Sequence, residues 1–316
     1  FFLLLAAPKV EVDSQQIVAR DVLLVLDTSG SMEGQKIEQA RSALLFVLEH
    51  LNPQDRFNVV SFNTGVRQFE TGVQPMSRAA EAKQFVSDLQ AGGSTDINRA
   101  LLEALAQVDE KRPTVIVFLT DGLPTVGEVD AQRIIDNVRQ QAPKDVQLFA
   151  FGVGDDVNTV LLDTISQENR GASAYVRPFE AIDEIVSGFY QKISTPVLTS
   201  LALDFGQVRA EDLYPYPLPD MFAGSQLVLA GRYRNGGPTQ VTLTGLVNGQ
   251  EKAFVFDDQT FRSQGGEPFI ARLWATRKIG YLLNEIRLRG YNQELVDEIV
   301  RLSTTYGVAT PYTSFF

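Results

Sequence analysis

Asp27, Ser29 and Ser31 stand at alternate positions of one short stretch, Asp27-Thr28-Ser29-Gly30-Ser31. Gly30 lets such a loop bend tightly, so one carboxylate and two neutral hydroxyls can converge on a point. That is a hard-oxygen set, suited to Mg²⁺ or Mn²⁺ rather than to zinc. Alone the string carries little weight. It turns up by chance in roughly one chain in ten at ordinary residue usage. The same residue types also form the capping loop of a helix. Two further stretches hold matching chemistry. Gly92-Gly93-Ser94-Thr95-Asp96 carries the Thr95 hydroxyl, and Thr120-Asp121-Gly122 carries the Asp121 carboxylate.

The elements that must position these residues are legible in the apolar pattern. Residues 21–27 (DVLLVLD) and 114–120 (TVIVFLT) are continuous apolar runs, as expected of strands buried on both faces. Strands are also expected at 57–62 and 146–153, with a short edge strand at 175–176. Helical spacing fills the gaps at 34–51, 78–90, 97–108, 130–142, 157–168 and 179–193. Strand and helix in alternation imply right-handed crossovers and a doubly wound, mainly parallel sheet with helices on both faces. In such a sheet the loops at the carboxyl ends of the strands meet at the topological switch point. The three oxygen-bearing stretches all fall there, Asp27 and Asp121 at strand ends and Thr95 before a helix.

After Thr195-Pro196 the texture changes. Residues 198–205, 226–233 and 240–256 alternate apolar and polar, and Asn248-Gly249 is a strong hairpin signal, so an antiparallel β domain is expected. Two helices, 269–289 and 292–306, follow and break at Arg289-Gly290, and 309–316 is extended around Pro311. The run Phe1–Ala7 is far shorter than the ~20 residues that span a bilayer, and it lacks a basic leader, so it reads as a strand. Starting without Met, the sequence reads as a piece of a longer protein.

Composition removes several chemistries. The 316 residues contain no Cys and one His, His50, which leaves no thiolate site and almost no room for Ser-His-Asp catalysis or a His-rich zinc site. His50 falls at the far end of the helix from 34, roughly 24 Å from its start at 1.5 Å per residue, and cannot serve the oxygen cluster. With 28 Lys and Arg against 39 Asp and Glu, the net charge is −11, and no basic run stands out. No nucleic acid is expected as a partner, nor a membrane held by charge alone. Asp155-Asp156 reads as a solvated turn and Trp274 with Leu273, Leu282, Leu283 and Ile286 as core.

Taken together and in this order, the three stretches resemble the metal-ion-dependent adhesion site of the von Willebrand factor A domain, over roughly residues 20–195. The resemblance implies that Ser29, Ser31 and Thr95 ligate a divalent ion directly, while Asp27 and Asp121 hold it largely through water. Asp96 is a helix-start residue, with a role in that outer ring as the alternative. The ion would be Mg²⁺, with Mn²⁺ or Ca²⁺ as alternatives. Neutral hydroxyl ligands leave it strongly electrophilic, with a position open for an Asp or Glu carboxylate from a protein partner. The stretch Met32-Glu33-Gly34 lacks the paired acids that follow the site in integrin β subunits, so no adjacent second metal is expected.

A wider resemblance, to inter-alpha-trypsin inhibitor heavy chains and their bacterial relatives, covers nearly the whole chain. It is carried by residues 33–64, Leu119–Gly127 (LTDGLPTVG), Arg272–Ala275 and Ala309–Ser314 (ATPYTS). It implies three parts: 1–19, a strand segment that pairs with the second domain; 20–195, the A domain; and 196–316, a β-rich hybrid-type domain with two C-terminal helices. The small β domain that precedes the A domain in that family does not appear in this sequence. An Asp-Pro end for covalent attachment to a glycosaminoglycan is also missing, since the sequence closes Thr313-Ser314-Phe315-Phe316. The implied protein is a non-enzymatic adhesion or protein-binding module in an extracellular or cell-envelope setting, with its last A-domain helix coupled to the second domain. An accessory subunit of a chelatase-type assembly is the alternative, and a metal-assisted hydrolase a further one.

Overall fold

A computed structural model describes residues 1–7, 19–109, 111–143, 146–193, 196–222, 226–247 and 250–313, with 191–193 and 196–197 as backbone only. The chain divides into two compact units, Ile17–Ser194 and Phe1–Gln16 with Thr195–Phe316. In chain order the strands and helices are β1 (Phe2–Ala6), β2 (Asp21–Asp27), α1 (Gln35–Glu49), β3 (Arg56–Phe62), β4 (Val66–Gln68), β5 (Gln74–Pro75), α2 (Ala79–Ser87), α3 (Ile97–Leu105), β6 (Thr114–Thr120), α4 (Ala131–Gln141), β7 (Val146–Val153), α5 (Thr159–Glu168), β8 (Ser173–Val176) and α6 (Ile182–Ile193). After them come β9 (Pro196–Asp204), β10 (Arg209–Tyr214), β11 (Met221–Phe222), β12 (Leu227–Arg234), β13 (Gly237–Val247), β14 (Gln250–Phe261), α7 (Pro268–Arg289) and α8 (Gln293–Tyr306).

The first of these units is the doubly wound sheet that the alternation implies. Its strands run β4-β3-β2-β6-β7-β8, with β5 also on β3. β3, β2, β6, β7 and β8 are parallel, whereas β4 and β5 are antiparallel additions at one edge. The chain leaves β2 for β3 on one side and then crosses to β6 on the other, so β2 is where the winding reverses. Every residue of β2 is buried, and Val22 to Leu26 have no exposure at all. Burying one such side chain contributes roughly 1.5–3 kcal/mol, and helices on both faces are needed to bury them all.

The helices obey their apolar faces. α3 buries Ile97, Ala100, Leu101, Ala104 and Leu105. It starts where Asp96 accepts a hydrogen bond from the Arg99 N–H at 3.1 Å, which satisfies one of the free amides of the first turn. α1 begins only at Gln35, because Gly34 adopts φ 84°, a turn conformation that favours glycine. At its other end His50 caps the helix, exposed, its ring stacked on Phe46. α6 starts at Ile182 rather than 179, since Phe179 has φ 78° and is fully exposed.

The other unit is an antiparallel sandwich with a helical layer. One sheet has the order β1-β12-β10 and the other β11-β9-β13-β14. Phe2, Leu227 and Leu229 from the first meet Leu198, Val241 and Leu243 from the second in one buried cluster. β1 pairs with β12 antiparallel, Phe2 opposite Gly231 and Ala6 opposite Leu227. The antiparallel pair β13–β14 places Val247 opposite Gln250; the Asn248-Gly249 turn expected between them lies outside the described residues. α7 and α8 cover the outer face of the first sheet through Ala230, Trp274, Ile279 and Ile299. The Trp274 indole N–H donates to the Asp212 carbonyl at 2.8 Å, so its one polar atom is satisfied. A cleft of about 720 Å³ between β1 and β14 has a mixed lining, apolar at Leu3, Leu5 and Phe256 and polar at Gln259, Thr260 and Glu267.

Candidate metal centre

Asp27 and Thr120 end two strands that lie side by side, with Leu26 paired to Leu119. That register delivers the Thr120 hydroxyl to Asp27 Oδ2, to which it donates at 2.6 Å. Asp27 Oδ1 accepts from the Ser29 N–H at 2.8 Å, the turn that an Asp makes with its own backbone two residues on. Thr28 faces the other way, its N–H and hydroxyl both donating to the Phe62 carbonyl, at 2.7 and 3.0 Å. The alternation of the loop is thereby fixed: odd positions face the crevice while Thr28 ties the loop to β3.

The Ser29 and Ser31 hydroxyl oxygens are 3.1 Å apart, and the Ser31 hydroxyl donates to Asp121 Oδ1 at 2.7 Å. Thr95 arrives on a second loop locked to the first. Gly30 N–H donates to the Gly93 carbonyl at 3.0 Å and Gly92 N–H to the Thr28 carbonyl at 2.8 Å. The Thr95 N–H is held by the Thr125 hydroxyl at 2.9 Å, and Asp96 N–H by the Asn63 carbonyl at 3.0 Å. Thr95 Oγ1 and Ser31 Oγ both lie within 4 Å of the position a Cβ on Gly122 would occupy. All five oxygen-bearing side chains singled out in the sequence, Asp27, Ser29, Ser31, Thr95 and Asp121, therefore converge. Asp96 is turned to the start of α3, with its carboxylate against Gly127, where a Cβ would stand 2.6 Å from Asp96 Oδ2.

Asp27, Ser29, Thr95 and Asp121 are buried, and Ser31 opens to solvent. Burial pushes the Asp27 carboxyl up to about 6, against the lowering effect of the Thr120 and Ser29 hydrogen bonds, with the Asp121 charge adding to the rise. The pocket thus holds an acidic group short of positive charge. Lys36, on the first turn of α1, supplies some: its Nζ lies 2.5 Å from Asp121 Oδ2. This ammonium offsets part of the charge of the Asp121 carboxylate. Among the described residues no three His, Asp or Glu side chains come together, so a cation site here depends on hydroxyl ligands.

Sequence reasoning missed Lys36, Thr120, Thr125 and Asn63. Lys36 had a local signal, a basic residue in a helix's first turn, where the dipole disfavours it. The other three reach the site residues Asp27, Thr95 and Asp96 across 30 or more positions in the chain.

The chain belongs to the von Willebrand factor type A domain family, whose description matches residues 21–188. Beyond that domain it is homologous to inter-alpha-trypsin inhibitor heavy chains. It is 33% identical to heavy chain H4 of Bos taurus over 96% of this chain and 36% of that protein. With heavy chain H4 of Homo sapiens the values are 31%, 93% and 34%. The chain spans about a third of the length of these relatives. Among solved structures, the von Willebrand factor type A protein from Catenulispora acidiphila superposes with a TM-score of 0.59 at 16% identity, over 92% of this chain and 80% of that one. The ArnB paralog VWA2 of Sulfolobus acidocaldarius gives 0.56 at 15%, over 96% and 82%. These two likenesses concern the fold.

Proposed function

We propose that this chain is a non-enzymatic protein-binding module that engages an Asp or Glu carboxylate of a partner through a divalent ion, Mg²⁺ foremost, held by Ser29, Ser31 and Thr95. The observation that carries the reading is the convergence of three hydroxyls and two carboxylates at the strand ends where the winding reverses. Family membership and heavy-chain homology support it. When bound, the ion supplies a coordination position for an outside oxygen ligand.

The residues of the chain do the rest. Ser29 and Ser31 present neutral oxygens, which leave the charge of a bound ion largely uncancelled. Asp27 and Asp121 supply negative charge from beneath, Asp27 fixed by the bonds it accepts from the Thr120 hydroxyl and the Ser29 amide, Asp121 by those it accepts from Ser31 and Lys36. Ser31 opens the site to solvent on the side where a partner would arrive, and Leu123, half-exposed beside Asp121, offers an apolar contact there. His50, the lone histidine, caps α1 at its far end, so the carboxylates have no imidazole partner for proton transfer. Of the described residues, no helix is long and apolar enough to cross a membrane. We place the module outside the cell or in its envelope, and read residues 196–316 as its hybrid-type companion domain, by analogy with the heavy chains.

Calorimetric titration with Mg²⁺ and Mn²⁺ tests the metal reading. Saturable one-site binding is expected for the wild type. Thr95→Ala, which deletes one neutral ligand and leaves both carboxylates, should weaken it about tenfold or more. Absence of wild-type binding, or an unchanged Thr95→Ala isotherm, contradicts the reading.

A further inference from the structure

Lys36 is in the wrong place for a helix and the right place for a charge balance. It is the second residue of α1, a helix whose N-cap Gly34 makes no side-chain cap. A cation in that turn works against the helix dipole. Its Nζ lies 2.5 Å from Asp121 Oδ2, while the Ser31 hydroxyl donates to Asp121 Oδ1 at 2.7 Å. The Asp121 side chain is fully buried and that of Lys36 is 40% exposed, so the ammonium spans from the buried carboxylate to the rim of the crevice. Local rules broken at one residue beside a site mark a functional cause.

We propose that Lys36 is a specificity determinant of the centre: a built-in cation that holds Asp121 back from a bound metal and biases the loaded site toward a carboxylate ligand. This rests on the metal reading given above. With Lys36 in place, Asp27, Asp121 and Lys36 sum to one negative charge, and a divalent ion brings the site to one positive charge. A single carboxylate then neutralises it. Without the ammonium the loaded site is neutral before any partner arrives, and Asp121 is free to turn an oxygen to the metal. Lys36 therefore weakens metal binding and strengthens ligand binding. A residue with a merely structural role would move both in the same direction or neither.

The test uses the full chain with Lys36→Met, which keeps the aliphatic stem, and with Lys36→Gln and Lys36→Arg. Mn²⁺ affinity is measured by electron paramagnetic resonance. Acetate binding to the Mn²⁺-loaded protein is followed by water-proton relaxation, and circular dichroism verifies the fold. Lys36→Met and Lys36→Gln should bind Mn²⁺ about tenfold more tightly and acetate about tenfold more weakly, with Lys36→Arg near wild type. If one of the uncharged variants fails to fold, the other carries the comparison. Unchanged or weaker Mn²⁺ binding in a folded uncharged variant, or unchanged acetate binding, overturns the role of Lys36 while wild-type Mn²⁺ binding leaves the metal centre standing. Lack of Mn²⁺ binding in the wild type and every variant overturns the metal centre itself, and this role with it.

Discussion

Asp27→Asn is expected to reduce divalent-metal affinity by about 100-fold while leaving the fold intact. The substitution is isosteric, and its amide can keep both contacts: the carbonyl accepts from the Ser29 amide and the NH₂ donates to Thr120 Oγ1. What it removes is one buried negative charge. At an effective dielectric constant near 20, a unit charge and a divalent ion about 4–5 Å apart attract by roughly 7 kcal/mol before desolvation is counted. A loss of about 100-fold, near 2.7 kcal/mol, is a modest share of that. Thr95→Ala removes a neutral ligand and should cost less. Calorimetry on the two variants checks the order. An Asp27→Asn protein that binds Mg²⁺ like wild type would mean the ion is held elsewhere.

The same substitution should change how stability depends on pH when metal is chelated. Burial lifts the Asp27 carboxyl from its ordinary 3.8 to about 6. Between these values the folded chain keeps a proton that the unfolded chain has released. Stability contributed by Asp27 therefore falls as pH rises through that window, and the cost is complete above about pH 6. The shift corresponds to about 3 kcal/mol. Relative to wild type, Asp27→Asn should thus gain up to about 3 kcal/mol between pH 4 and pH 7, read as the difference between two urea-unfolding series in chelator. Equal pH dependence in both proteins contradicts a raised Asp27. Metal binding runs the opposite way. A cation needs the carboxylate ionised, so apparent affinity should weaken as pH falls below about 6.

These two expectations are linked. A carboxylate that burial destabilises when empty is one that a cation relieves when bound. Without a cation, the ionised Asp27 carboxylate is therefore buried at some cost to the fold.

Much of this arrangement could be read before the fold was known, for a physical reason. Strands covered on both faces must be apolar throughout, so Asp21–Asp27 and Thr114–Thr120 declare themselves, and the polar residues at their carboxyl ends are conspicuous. The placement of Asp27, Ser29, Ser31, Thr95 and Asp121 in one crevice follows from the winding alone. The short antiparallel strands β4 and β5 were not legible, because two or three residues carry no periodicity. The start of α6 was placed too early, since nothing in the pattern marks the left-handed turn at Phe179. The supports of the site were hidden for another reason. Thr120 touches Asp27 across 93 positions, and Lys36 touches Asp121 across 85. Only the register of β2 against β6, and the direction in which α1 leaves its loop, bring such pairs together.

The central claim is that the hydroxyls of Ser29, Ser31 and Thr95 hold a divalent ion between them. Anomalous diffraction from crystals grown with Mn²⁺ addresses it most directly. The account predicts one strong anomalous peak in coordination contact with all three hydroxyl oxygens, with Asp27 and Asp121 behind it. A crystal with no peak at that position, or with a peak that touches none of the three hydroxyls, would contradict it.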